Sequence, residues 1–81
     1  MLEQINEPIE VIAKFTRDQV IPVKFLWQTK EYLVKKVNLV YSRSEGKTKF
    51  YFFAVSDNAN YFKLQLNSET LMWTLLETYV D

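Results

Sequence analysis

The groups able to do chemistry in this chain are carboxylates, lysines and phenols, because its 81 residues include no histidine and no cysteine. Without them there is no serine–histidine or cysteine–histidine nucleophile pair. Cysteine-ligated zinc, most other zinc geometries and a disulfide framework are excluded too. A single glycine, Gly46, cannot build a phosphate-cradling loop. The ten acids are dispersed, and none sits in an apolar run that would raise its pKa, so the paired carboxylates of glycosidase-type acid–base work are missing. Asp57-Asn58-Ala59-Asn60 has the look of a calcium-loop start, but the glycine and the distal glutamate are absent. A turn built on Asx side chains accounts for it. The expectation is a protein that is not an enzyme and carries no metal or cofactor.

Binding chemistry is better represented. Lys47-Thr48-Lys49-Phe50-Tyr51-Phe52-Phe53 places cations directly before strand aromatics, the combination single-strand nucleic-acid binders use for phosphates and bases. The glycines that let bases approach are missing, and large aromatics also dominate small cores. The candidate binding surface comprises Lys35, Lys36, Tyr41, Lys47, Lys49, Tyr51, Phe53, Tyr61 and Lys63. Trp27 and Trp73 serve either as interface anchors or as core plugs. Net charge is zero but segregated. Residues 14–63 hold ten cations and four acids, while 1–13 and 64–81 hold three acids each and no cation. A basic middle and acidic ends would suit a self-complementary homodimer; the same pattern is also what scattered surface charge produces. The leading reading is a protein-interaction or accessory module. The other is weak single-stranded nucleic-acid binding through a basic, aromatic strand face.

The elements that must position these residues are strands. Phe50 to Val55 is uncharged and apolar at both parities, which predicts a central strand covered on both sides. Residues 1–7 read as a flexible lead-in, and residues 8–81 as one β domain. Pro8 opens a strand through Phe15, where a missing N–H costs no ladder bond. Val23–Gln28 alternates, with Thr29-Lys30 as a short connection. Glu31–Ser42 is the longest element. Its apolar parity switches at Lys35-Lys36, which predicts a β-bulge or sharp coil within one strand. Turns are expected at residues 16–19, 43–47, 57–60 and 67–70, and Tyr61–Leu66 alternates cleanly. Leu71–Val80 supports two readings. Leu71, Met72, Leu75, Leu76 and Tyr79 share a helical face, whereas Trp73, Thr74, Thr78, Tyr79 and Val80 favour strand. The fold class is therefore all-β: about six antiparallel strands in a strongly bent meander, closing as a small SH3-like barrel or a sandwich, with the C-terminal segment a strand or a helix.

The spacing of single residues also resembles a family. Pro22-x-x-Phe25-x-Trp27, then Tyr32-x-Val34 and Val37, then Phe62-x-Leu64, and finally Trp73-x-Leu75 match the pattern of small uncharacterised bacterial domains. Some members of that family are appended to Y-family-type DNA polymerase homologues. The resemblance covers residues 9–81. It departs near Tyr41, where the family often has tryptophan, and in having few arginines. It implies an all-β domain with no catalytic residues.

A hydrophobic fraction of 48% is enough for a packed core and argues against a disordered chain. The N-terminus lacks the pattern of a secretory signal. No apolar run approaches the roughly 20 residues a membrane helix needs. A cytoplasmic protein with no membrane partner is expected.

Overall fold

The computed structural model describes residues 1–80. Seven strands form one antiparallel sheet: β1 (Leu2–Phe15), β2 (Val20–Trp27), β3 (Lys30–Leu33), β4 (Lys36–Glu45), β5 (Thr48–Ser56), β6 (Asn60–Asn67) and β7 (Trp73–Val80). Their order across the sheet is β3-β2-β1-β7-β6-β5-β4. The chain is all-β, with no helix among the described residues.

Sequence periodicity accounts for most of this. Phe62, Leu64 and Leu66 of β6 alternate with Tyr61, Lys63 and Gln65, and the first set is buried. The β5–β6 register pairs Phe53 with Leu64 and Val55 with Phe62, so the apolar parity of both strands shares one face. Trp73 and Leu75 of β7 join that face, and Phe25 of β2 completes the core. Strand, not helix, is thus the outcome at residues 73–80. The apolar residues of β7 become buried by pairing with β6 on one side and β1 on the other.

The sheet is rolled. Strands in a sheet lie roughly 4.8 Å apart, and β2 stands three places from β6. Yet the rings of Phe25 and Phe62 lie 5.1 Å apart, and Tyr32 of edge strand β3 is 5.3 Å from Phe62. The concave face therefore meets itself around these rings. The sheet does not close into a barrel. Strand β3 is only four residues long and covers Lys24–Trp27 of β2, leaving residues 20–22 without an outer partner.

Four expectations are corrected. Residues 1–7 are not a loose lead-in: Leu2, Glu3 and Gln4 pair with Tyr79, Thr78 and Glu77. Asn6, at φ 54°, forms the irregularity that carries β1 past this point to Pro8. Glu31–Ser42 is not one bulged strand but two strands on opposite edges. The amide of Val34 bonds the Val23 carbonyl, and that of Lys35 bonds the Ser56 carbonyl. Phe50–Val55 is not the middle of the sheet, since β5 stands one place from the β4 edge. Its second face is covered because Tyr41 stacks on Phe52, centroids 4.9 Å apart, and the Arg43 guanidinium lies 5.4 Å from the same ring. Finally, Arg43–Glu45 stay in the strand, because Gly46-Lys47 alone make the hairpin. Gly46 holds φ +60° at its first position, which type II′ loops assign to glycine.

Candidate ligand cleft and its free strand edge

The open part of the roll leaves a cleft of about 760 Å³ between the β1–β2 hairpin and strands β4 and β5. Phe15 and Val20 enter it from the hairpin, Val37 and Val40 from β4, Tyr51 and Phe53 from β5, with Leu66 and Leu71 closing one end. Most of this lining is apolar. Three of these side chains are exposed well beyond the norm for their type: Leu71 at 65%, Phe15 at 64% and Val40 at 51%.

Local geometry explains why the hairpin wall holds its shape. The Thr16 amide bonds the Gln19 carbonyl at 2.9 Å, and the Gln19 amide donates to the Thr16 hydroxyl. At the far end, the Asn67 side-chain carbonyl accepts from the amides of Glu69 and Thr70. The Leu71 amide bonds the Asn67 carbonyl at 2.7 Å. Leu71 itself sits at φ 62°, a left-handed conformation uncommon outside glycine and asparagine. A bulky residue held in that conformation, with its side chain exposed at the cleft, is the kind of strain that gathers at functional sites.

Along the cleft runs the free edge of β4, ten residues with no strand outside them. Natural edges are guarded by shortness, charge, proline or bulges. Edge β3 is guarded by its length and by Lys30 and Glu31. Strand β4 has an irregularity between Val37 and Leu39 and cations at Lys36 and Arg43, but Leu39-Val40-Tyr41-Ser42 carries no guard. Across the gap, Pro22 occupies the stretch of β2 that lacks an outer partner, as a residue without an N–H can.

The sequence-derived surface divides between two faces. Tyr51, Phe53 and Lys49 share the concave parity of β5, where Phe53 is 1% exposed and serves the core against Trp73. Tyr51 is half-buried in the cleft, with the Lys49 ammonium 5.4 Å from its ring centre. Tyr41, Tyr61 and Lys63 lie on the convex face, with Lys63 against Tyr41 and in an ion pair with Glu77 at 3.6 Å. The Tyr41 hydroxyl raises the Lys63 pKa, partial burial opposes it, and Glu77 adds to the rise. Lys36 stands at the start of β4, Lys35 at the corner between edges, and Lys47 in the hairpin. Trp73 is a core plug, whereas half-buried Trp27 donates its indole N–H to Glu7 at 3.0 Å.

Periodicity did not single out Phe15, Val20, Val40 or Leu71 as site residues. Each reads as an ordinary core position, and only the missing strand between β2 and β4 exposes them. Asp57 is confirmed as a turn residue: its carboxylate accepts from the amides of Ala59 and Asn60 at 2.8 and 2.7 Å. No helix among the described residues is long and apolar enough to cross a membrane.

Comparison with known proteins finds no matching family model, no matching curated protein and no matching solved structure.

Proposed function

We propose that this chain is a non-enzymatic, cytoplasmic protein-interaction module that binds an extended segment of its partner along the free edge of β4. Membership in the bacterial accessory-domain family that its spacing resembles belongs to the same reading. The observation that carries it is the juxtaposition of an unguarded strand edge with an apolar cleft of ligand size. Strand addition to such an edge takes affinity from main-chain hydrogen bonds and specificity from pockets for alternate side chains. Pockets of roughly 300–1,000 Å³ are the usual size for bound groups, and this cleft falls in that range. The test is selection from a random extended-peptide library, followed by amide chemical-shift mapping. Binding peptides are expected to shift Val37–Arg43 together with Val20, Tyr51 and Leu71. Shifts confined to other surfaces would overturn the reading.

A second reading, single-stranded nucleic-acid binding, draws on the exposed rings of Tyr41 and Tyr61 beside Arg43 and Lys63. It is the weaker one, because Glu77 and Glu45 partner those two cations. Titration of a labelled oligothymidine tests it: binding that weakens steeply with salt supports it, and no binding at low salt ends it.

A further inference from the structure

We propose that the segment received at the β4 edge alternates apolar and acidic side chains; this rests on the strand-addition reading above. Residues 14–21 and 35–49, the two walls of the gap, hold seven of the chain's ten cations and two of its ten acids. Among the described residues only one of these seven, Arg43, is in an ion pair, with Glu45 at 3.1 Å. The remaining six, Lys14, Arg17, Lys35, Lys36, Lys47 and Lys49, are exposed. Of the other acids among the described residues, Glu3, Glu7 and Glu10 lie on β1, Glu31 on β3 and Glu77 on β7, and Asp57 and Glu69 stand between strands. Cations gathered on both sides of one opening create a positive field that draws an anionic partner.

Geometry selects an acidic peptide over other anions. The cleft lining is mainly aliphatic, Val20, Val37, Val40, Leu66 and Leu71, with one open ring, Phe15 on the hairpin wall. Its two inner rings are occupied: Phe53 is buried against Trp73, and Tyr51 has Lys49 beside it. Stacking successive bases needs several free ring faces and the cleft has one, whereas a strand's alternate side chains need aliphatic depressions. An added strand has period two. Side chains of one parity would enter beside Val37 and Val40, and those of the other would lie outside beside Tyr41 and Arg43. Acids on the outer parity meet Lys36 directly and Arg43 in competition with Glu45, whose exposed pair with it is weak. Pairing is with β4 and not β2, because Pro22 removes a donor from the opposite free edge.

The probe is a ten-residue fluorescein-labelled peptide, as long as β4, alternating valine with glutamate; a valine–lysine peptide and an oligothymidine serve as comparisons. The glutamate peptide is expected to bind roughly tenfold more tightly than the lysine peptide, with the ratio shrinking as salt screens the charges. It should also shift the β4 amides. In the Lys36→Glu/Arg43→Glu variant the preference should invert. Equal affinity for both peptides at β4 overturns the acidic preference and leaves strand addition standing. Absence of β4 shifts with either peptide overturns both. Oligothymidine competing for the cleft resonances, or β4 self-pairing seen as a concentration-dependent dimer in sedimentation, also overturns the proposal.

Discussion

The amides of Val34 and Lys35, neighbours in the chain, bond carbonyls on strands near opposite edges of the sheet: Val34 reaches Val23 of β2 and Lys35 reaches Ser56 of β5, each at 2.9 Å. Two residues thus fasten one corner of the roll while the rest of the β2–β4 seam stays open. The cleft exists because this corner is fixed and β3 is too short to fill the gap. Removing one donor tests this. Lys35→Pro loses the bond to Ser56, whose carbonyl is left short of a partner, and should cost about 1–3 kcal/mol. Lys35→Ala keeps the amide and should stay within about 0.5 kcal/mol of the parent. Urea midpoints compare the two; equal losses would mean that the lysine side chain, not the amide, matters.

The core depends on the contact faces of β6 and β7. Leu64 and Leu75 are register partners, and neither is accessible to solvent. Truncating either to alanine should cost about 2–5 kcal/mol through lost burial and the cavity left behind. A chain of this length holds roughly 4–12 kcal/mol in total, so Leu75→Ala should show a large fall in thermal midpoint. The double variant should cost less than the two single losses together, because neighbouring deletions share one cavity.

How far this fold could be read from the sequence depended on what each residue reports. Phe62, Leu64 and Leu66 report their face directly, because period-two alternation is a local property. Trp73 and Leu75 were ambiguous because their segment also fits a helical face, and only pairing on both sides resolved it. The parity switch at Lys35-Lys36 was visible, but a bulge and a change of edge leave the same trace in sequence. The difference lies in which distant carbonyls the two amides find. The same limit hid the cleft. Phe15, Val40 and Leu71 have core composition, and their exposure follows from a strand that is missing. Tyr51 and Phe53 were expected at a surface beside the lysines; Tyr51 reaches one in the cleft, while Phe53 went to the core because β6 and β7 supply the apolar face it needs.

Acid should loosen the β5–β6 turn. Burial pulls the Asp57 carboxyl upward, but hydrogen bonds from Ala59 and Asn60 and the charge of Lys30 outweigh it and leave the pKa below its ordinary 3.8. A lowered carboxylate contributes stability that is present above the ordinary value and is lost as pH falls through the folded one. The difference in thermal midpoint between the parent and Asp57→Ala should therefore be constant from pH 7 to about 5 and shrink below about pH 4. At neutral pH the substitution should cost about 1 kcal/mol, the scale of a lost capping carboxylate. A difference that persists unchanged at pH 2 would place the effect in shape rather than charge.

Alkali should act on the convex face. The Tyr41 hydroxyl and Glu77 together raise the Lys63 pKa above its ordinary 10.5, against partial burial. A raised lysine contributes stability that is fully present below the ordinary value and is lost as pH climbs through the folded one. Lys63→Met should therefore cost the same at pH 7 and pH 9, and its deficit should narrow above about pH 10.5. The pair is a third exposed on the lysine side, so the loss should be small, about 0.2–1 kcal/mol. A deficit that grows with pH would contradict the assignment.

Besides Asn6 within β1, two residues hold the left-handed backbone that glycine takes freely: Gln28 at φ 60° in the β2–β3 hairpin and Leu71 at φ 62° beside the cleft. Glycine at either position relieves about 1–2 kcal/mol of strain and returns about 0.5–1 kcal/mol to the freedom of the unfolded chain. Gln28→Gly should therefore stabilise by about 0.5 kcal/mol and leave peptide binding untouched, since Gln28 does not line the cleft. Leu71→Gly removes a side chain that is mostly exposed, so its stability should likewise hold or rise while affinity for the valine–glutamate peptide falls severalfold. That split, stability kept and binding lost, is what a residue held under strain for a ligand produces. Chemical denaturation and fluorescence polarisation on the two variants separate the outcomes. A Leu71→Gly protein that is more than about 1 kcal/mol less stable than its parent would show that the leucine holds the fold and not the ligand.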